Sequence, residues 1–446
     1  MNAMQKIIDK CIRSGAEMAE VYSLSDKSMS IRVRNGEVEA IEKFTPGGIA
    51  IRYFSFGKTA FAHTTEDPLS PRFDNVIDSL IAHLSKTIKS VGKGEQFDLP
   101  SDNNIPENLD IYAPGHTNVT TDSKIEYLQN LEQLALKYDP LVKQSNGMSY
   151  EETISTIGIV NSNGLNVSYD TTAYRIGINV VAAKNDEMFP GEGDFSARYF
   201  EDLPGPETMV EEIASKAVRL VGGTSVPSGD YEIIFTPDGA GSILWGLAFA
   251  LDGQSYIKGS SFLSDKIGEK FADSILTVID NPLMKRGIGS RPVDAEGTLS
   301  QDLKLIDSGT LKGVMYDLKT AAKAGAKSTG SATRRDYTAS PSIWPNNFHI
   351  AAGSAKFNDV VSSCTKGIIV EMTQGWGLNS INGQYSAGIN GILVRNGKQI
   401  KPVANITLAA GTDEVFKGIG AICDDLTFYH NFNSPSIMVK KMKVGA

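Results

Sequence analysis

Apolar residues first recur at helical spacing: Met4, Ile7, Ile8, Cys11 and Ile12 share a helix face, and Gly15 follows as a stop signal. The period then falls to two. Met29, Ile31 and Val33 alternate with Ser30, Arg32 and Arg34, and Asn35-Gly36 turns the chain into a second strand from Glu37. Strand-like runs follow at 49–54 and 58–63, then a helix with Phe73, Val76, Ile77, Leu80, Ile81, Leu84 and Ile88 on one side. The same order recurs further on. A helix capped by Asp122 carries Ile125, Leu128, Leu131 and Leu134. Strands are predicted at 141–150, 153–160, 165–169 and 173–183, with turns at Asn146-Gly147 and Asn163-Gly164. A helix bearing Val210, Ile213, Ala214, Ala217 and Val221 closes the stretch. Two modules of helix, antiparallel meander and helix are expected, at 1–95 and 118–223, with the polar stretch from Ser90 to Asn118 connecting them.

The run from Gly222 to Gly229 breaks both periodicities and leads into an apolar strand at 231–235, which marks a domain boundary. Beyond it, residues 229–446 read as a β-rich domain. Asn382-Gly383, Asn390-Gly391 and Asn396-Gly397 stand close together, as consecutive hairpins require and crossover helices do not. The fold class is α+β: helix-plus-meander modules in the N-terminal half and an antiparallel β-rich C-terminal domain.

A chain of 446 residues needs more than one core, in keeping with this division. The formal charge of −9 carries no concentrated basic face; Arg334-Arg335 and Lys440, Lys441 and Lys443 are too few for a nucleic-acid backbone. No apolar run is long enough for a membrane span, and charges at Lys6, Asp9, Lys10 and Arg13 interrupt any secretory signal. Cys11, Cys364 and Cys423 stand far apart, outside any metal or redox spacing, and suit a reducing compartment. The expected location is the cytoplasm, with neither nucleic acid nor membrane as partner.

Local catalytic motifs are missing. His63, His83, His116, His349 and His430 lie too far apart in sequence for any two to share a helical turn, which removes the His-Glu-x-x-His type of zinc helix. No Gly-x-Ser-x-Gly elbow occurs. The segment from Ala324 to Gly330 lacks the Gly directly before Lys327 and the preceding strand of a phosphate loop. Gly191-Glu192-Gly193-Asp194 and Asp424-Asp425 read as solvated acidic turns, with too few oxygen ligands in a regular loop for a hard cation.

Several segments nevertheless resemble one family. Ala19-Glu20-Val21-Tyr22 and Arg34-Asn35-Gly36-Glu37-Val38-Glu39 come first. Lys258-Gly259-Ser260-Ser261-Phe262, Lys266-Ile267-Gly268-Glu269 and Tyr316-Asp317-Leu318-Lys319-Thr320-Ala321 follow. Gly325-Ala326-Lys327-Ser328-Thr329-Gly330, Gly383-Gln384-Tyr385-Ser386 and Val394-Arg395-Asn396-Gly397-Lys398 complete the set in order. Together they resemble the TldD/PmbA family of metalloproteases, also described as modulators of DNA gyrase. TldD-type members carry a helix with His-Glu-x-x-x-His and a Cys near the C-terminus, which the resemblance implies as zinc ligands. Aligned here, the first His falls on Trp245, the Glu on Gly246 and the second His on Ala250. No His or Glu occurs from Asp238 to Lys266, and the helix reads as a buried structural one through Ile243, Leu244, Leu247, Ala248 and Leu251. Cys423 precedes the loop that bears the ligand in TldD-type chains, and Thr427-Phe428-Tyr429-His430-Asn431-Phe432-Asn433 replaces that loop without a Cys.

Both losses point to the TldE/PmbA branch. The resemblance then implies a non-catalytic subunit with no catalytic residue, metal or cofactor of its own. Zinc would belong to a TldD-type partner that cuts small or unfolded peptides, and a homodimer is compatible with the family. Strand edges at 368–374 and 388–394 are candidates for pairing with extended substrate. Two other readings stay open: a self-associating, gyrase-linked modulator, and an autonomous metallopeptidase whose site is assembled from scattered residues.

Overall fold

The computed structural model describes residues 2–106 and 109–445. Residues 107 and 108 of the expected connection, and the terminal residues of the outer modules, lie outside that range. The chain starts with helix α1 (Asn2–Arg13) and strands β1 (Met18–Arg34), β2 (Glu37–Phe44), β3 (Gly47–Ser55) and β4 (Lys58–Thr64). Helices α2 (Phe73–Thr87) and α3 (Thr121–Lys137) follow, then β5 (Val142–Asn161), β6 (Asn166–Lys184), β7 (Glu187–Ala197) and helix α4 (Pro206–Leu220). The meanders of both modules join in one antiparallel sheet of order β4-β3-β1-β5-β6-β7, with β2 beside the far end of β1.

Four local expectations change. The cap of α3 is Thr120, whose side chain accepts from the Ser123 N–H; Asp122 sits in the first turn. Asn146-Gly147 does not turn the chain. It lies inside β5 at a slip of register, because β6 pairs with that strand on either side of the slip and β1 joins from Met148 onward. The predicted strands 141–150 and 153–160 thereby fuse, as do 165–169 and 173–183. Gly191-Glu192-Gly193-Asp194 belongs to strand β7, not to a solvated turn. A Cβ on Gly191 would stand 2.8 Å from the Ile213 carbonyl, and one on Gly193 2.3 Å from Ile213 Cδ1, so the glycines let α4 settle on the strand. Asp194 there takes a bidentate pair of bonds from Arg175 at 2.9 and 3.0 Å.

Period-two alternation gives the sheet two apolar faces. On one, Val21, Ile51, Ile31 and Ile176 pack beneath the four helices. On the other, Tyr22, Ala50, Ile159 and Val167 meet Val293, Leu299 and Tyr337 of the C-terminal domain.

That domain begins with β8 (Gly229–Phe235), α5 (Gly241–Ala250) and α6 (Gly253–Ile257). A long excursion holds β9 (Val278–Asp280), β10 (Leu303–Asp307), β11 (Thr310–Leu311), α7 (Leu318–Ala324), β12 (Ala332–Thr333), β13 (Ser342–Ile343) and β14 (Phe348–Ile350). Then come α8 (Phe357–Ser363), β15 (Lys366–Leu378), β16 (Tyr385–Arg395), β17 (Lys398–Ala410), α9 (Thr412–Phe416), β18 (Ile419–Ile422), β19 (Phe432–Asn433) and β20 (Ile437–Gly445). The main sheet runs β17-β16-β15-β8-β20-β18, and β17 also pairs with β20, so five strands close a ring. Pairing is antiparallel except between β15 and β8 and between β14 and β19. Asn396-Gly397 turns β16 into β17 as expected. Asn390-Gly391 instead lies inside β16 at a slip of register, where a Cβ on Gly391 would stand 1.9 Å from the Ile369 carbonyl. The class is α+β with mainly antiparallel strands. Among the described residues no helix is long and apolar enough to cross a membrane.

Buried charge ties the two halves together. Glu20 on β1 is fully buried and accepts from Arg52 Nε on β3 at 2.9 Å and from Arg334 Nη2 of the C-terminal domain at 2.6 Å. Arg52 Nη1 donates to Glu296 at 2.6 Å, and the other Glu296 oxygen accepts from the Leu318 N–H at 2.8 Å. Arg334 also stacks over Tyr22, 4.8 Å from the ring centroid. A second clamp is Arg198, buried among the carbonyls of Thr172, Gly287 and Ser290 at 2.9–3.1 Å.

Removing one partner strands the others without water. Arg52→Ala is expected to cost about 3–5 kcal/mol in urea unfolding, far above the cost of an exposed pair such as Lys417–Asp413. A pH effect follows from Asp280, buried on β9, where the Asn346 N–H and side-chain amide donate to its carboxylate at 2.7 and 2.9 Å. Burial pushes its carboxyl from 3.8 up to about 6. The folded state therefore holds a proton that the unfolded chain has released. The stability this contributes is complete below about pH 3.8 and is lost as pH rises through about 6. Melting temperatures of wild type and Asp280→Asn should shift in favour of the variant between pH 4 and pH 7.

Candidate functional site

Strand β8 ends at Phe235, where Thr236 secures the exit by donating its N–H to the Val370 carbonyl at 3.1 Å and its hydroxyl to the same atom at 3.0 Å. Helix α5 then begins, and it is apolar nearly all round. Ile243, Leu244, Leu247 and Ala248 are buried in the C-terminal core. Trp245 and Phe249, one turn apart, are not: they are 47% and 40% exposed. The expectation of a buried helix fails on this stripe, because rings cover it only in part and leave both side chains facing a groove.

These two rings anchor an aromatic cluster. Phe432 stacks on Trp245 with centroids 5.0 Å apart and planes 3° from parallel. Trp344 meets Trp245 and Phe249, each at 5.3 Å. Phe348 closes on Phe432 at 5.6 Å. Phe432 belongs to the loop 427–433 that the resemblance sets in place of the TldD-type Cys loop. Two positions far apart in sequence, both singled out as zinc-site replacements, thus touch in space. β14 and β19 bring them together by pairing Phe348 with Phe432 in register.

Gly246 explains how α5 sits so close to β15. A Cβ there would stand 2.3 Å from the Leu378 carbonyl oxygen and 2.5 Å from Leu378 Cβ. Gly377 makes the reciprocal approach: its Cβ would fall 2.5 Å from Ser242 Cβ. Ser242 then exchanges a hydrogen bond with the Tyr385 hydroxyl at 2.8 Å. Ala250, third of the three motif positions, is fully buried. Trp245, Gly246, Phe249, Trp376, Leu378 and Asn379 contribute to the walls of a groove of about 660 Å³ between α5 and the outer part of β15.

A polar cleft of about 350 Å³ adjoins it, sharing Asp238. Glu371 lies buried in it, 3.0 Å from Arg219, and burial raises its carboxyl above the usual range while Arg219 opposes the rise. Lys216 pairs with Asp238, and His430 stands 3.7 Å from Asp194. Each of these charges already has a partner.

The remaining sequence candidates scatter. His63 packs near Tyr337, His83 bonds Thr87 on α2, His116 stacks on Phe200, and His349 bonds the Asn347 carbonyl. Among the described residues no group of three or more His, Cys, Asp or Glu could hold a metal ion. Cys423 is buried, and Asp425 beside it accepts from the Ser436 N–H and hydroxyl at 2.8 and 2.7 Å. Ser328 and Thr329, in the phosphate-loop-like segment, both donate to the Tyr316 carbonyl, which closes that segment on the protein itself. The strand edges proposed at 368–374 and 388–394 are mostly absent, since β16 is flanked by β15 and β17, and β15 by β16 and β8 as far as Val370. Sequence reasoning missed Trp344, Trp376 and Glu371. A Gly-Trp-Gly triplet at 375–377 was the only local signal.

Gly246→Ala should cost about 1–3 kcal/mol in chemical unfolding, because the methyl has no room against Leu378. Gly241→Ala, in the same helix with open space at its Cβ, should be neutral or stabilising by up to about 1 kcal/mol.

Three family models match the chain in order. Residues 19–84 match the PmbA/TldA metallopeptidase domain 1, residues 115–221 its central domain and residues 228–446 its C-terminal domain. A metalloprotease PmbA from Escherichia coli O157:H7 is 26% identical over 463 residues, covering 100% of this chain and 97% of that one. A metalloprotease PmbA homolog from Haemophilus influenzae is 26% identical over 452 residues, covering 99% and 95%. The crystal structure of TldE from Thermococcus kodakarensis superposes with a TM-score of 0.87 at 20% identity, covering 100% of both chains, and this likeness speaks for the fold alone.

Proposed function

We propose that this chain, which belongs to the PmbA/TldD metallopeptidase family, is a metal-free subunit that works with a zinc-bearing TldD-type chain in the breakdown of small or unfolded peptides. One observation carries the reading: the helix and the C-terminal segment that would hold zinc meet in space, and what they bring together is aromatic. Zinc takes nitrogen, sulfur or carboxylate oxygen donors. Trp245 presents an indole, Gly246 no side chain and Ala250 a methyl group. Phe432, from the segment set in place of the Cys loop, stacks on Trp245 and offers a ring with no donor atom. These residues do not fit the metal.

Gly246 strengthens the point. The resemblance sets at that position the carboxylate that would assist a zinc-bound water. Here even a Cβ would collide with the Leu378 backbone, so a glutamate requires α5 and β15 to separate. The loss is built into the packing of the helix rather than confined to one exchanged side chain. We place the subunit in the cytoplasm, in keeping with three buried free thiols.

Elemental analysis of the purified chain should find zinc far below one equivalent, and the chain alone should leave unfolded peptides uncut. Mixing with a TldD-type chain should give a complex and chelator-sensitive cleavage. Stoichiometric zinc, or chelator-sensitive cleavage by this chain alone, would overturn the reading. A stable homodimer that ignores a TldD-type chain would favour the self-associating modulator instead.

A further inference from the structure

The groove beside α5 has two kinds of wall. One is the exposed aromatic stripe of Trp245 and Phe249. The other is a strand segment with only one neighbour: β15 pairs with β8 as far as Val370 and closes on Ser242 at Gly377, and between them Met372, Thr373 and Gln374 pair with β16 alone. Within that segment the register slips between Gln374 and Gly377, and both Gly375 and Gly377 have positive φ. The slip throws Trp376 outward, leaving it 87% exposed at the groove's rim, with Ile381 64% exposed next to it. Trp245, Phe249, Trp376 and Ile381 are thus exposed together around one groove, the clustered apolar surface that marks a binding site.

The lining also limits the occupant. Asp238 is its single ionisable side chain, and Lys216 already neutralises it. No net charge remains to hold a charged group. The volume of about 660 Å³ suits one or two large side chains rather than a folded surface. A one-sided strand beside an aromatic hollow matches a chain in extended conformation, which pairs through its main chain and inserts alternate side chains.

We propose that this groove binds a peptide in extended conformation, with one large apolar or aromatic side chain entering between Trp245, Phe249 and Trp376 and the peptide backbone lying along residues 372–374 of β15. The inference rests on the reading of the chain as a subunit that handles peptides, and it adds the preference and the residues that set it. Where a zinc helix would cut, this helix grips.

The test uses the full chain and a fluorescein-labelled, end-blocked peptide, Ala-Ala-Leu-Ala-Ala, followed by anisotropy. All three tryptophans of the chain take part, Trp245 and Trp376 lining the groove and Trp344 packing against Trp245, so intrinsic emission should move in parallel. Replacing the peptide's leucine with glutamate should weaken binding at least tenfold. Trp376→Ala should weaken it about tenfold and leave the melting temperature unchanged, since that side chain is almost wholly exposed. Phe249→Ala should act in the same direction. N-acetyl-leucinamide should compete more than tenfold less well than the peptide, because it lacks the backbone that pairs.

Equal binding of the leucine and glutamate peptides, or folded variants that bind like wild type, would overturn the proposal. So would equal competition by the amide, which would make the groove a small-molecule pocket. Sedimentation showing a dimer that Trp376→Ala dissolves would assign the groove to a second copy of the chain and overturn the proposal as well. The two readings fail separately: zinc in the isolated chain sinks the metal-free subunit and leaves these titrations intact, whereas lost selectivity sinks the groove and leaves metal content unchanged.

Discussion

The buried carboxylate of Glu20 is the constraint on which the architecture turns. It sits without solvent between two guanidinium groups, Arg52 from its own sheet and Arg334 from the other domain. A charge in that position is tolerable only while its partners stay in place. Arg52 passes the requirement on to Glu296, so a chain of alternating charges crosses from β3 into the excursion that begins after α6. That excursion also delivers Trp344 and Phe348 to the aromatic cluster. An ion network on the sheet face that meets the C-terminal domain thereby helps hold in position the loop that walls the candidate site.

Electrostatics of this kind gives geometry more than stability. Taking Glu20, Arg52, Glu296 and Arg334 out of water costs much of what their attraction returns, so the network's value lies in admitting one arrangement of the two domains. Tyr22, Ala50 and Val167 supply apolar contact with Val293 at the same interface, but apolar contact tolerates sliding. The directional bonds of Arg52, Arg334 and Arg198 do not.

At the site itself, α5 is the helix on which the resemblance sets the TldD-type zinc motif, and its contacts here are apolar. A metal site needs donors held apart by a rigid frame. Here α5 is drawn against β15 through Gly246 and Gly377, and its outward stripe is filled by rings. The helix is fixed in place because its apolar side, through Ile243, Leu244 and Leu247, is part of the domain core. The outward stripe has no such duty, so it is free to carry chemistry of another sort.

Hydrophobic periodicity was enough to locate the helices at 2–13 and 73–87, the hairpin at Asn35-Gly36 and the α+β class, because each depends on contacts a few residues apart. The substitutions at Trp245, Gly246 and Ala250 were equally visible, being a matter of residue type at aligned positions. Neighbours in space decided the rest. Asn146-Gly147 and Asn390-Gly391 have the dipeptide of a hairpin turn, yet both lie inside long strands, because flanking strands continue on either side and outweigh a local preference. Gly191 and Gly193 look like a solvated turn and instead admit α4. The exposure of Trp245 and Phe249, their meeting with Phe432 and Trp344, and the one-sided stretch of β15 have no local sequence signal at all. They follow from where β8 stops, which strand lies beside which, and how closely a helix can approach when glycine removes the side chain in between. Local sequence determined the elements and the residue types along α5; only the tertiary structure decided what surrounds them, since that depends on surfaces brought together from residues far apart along the chain.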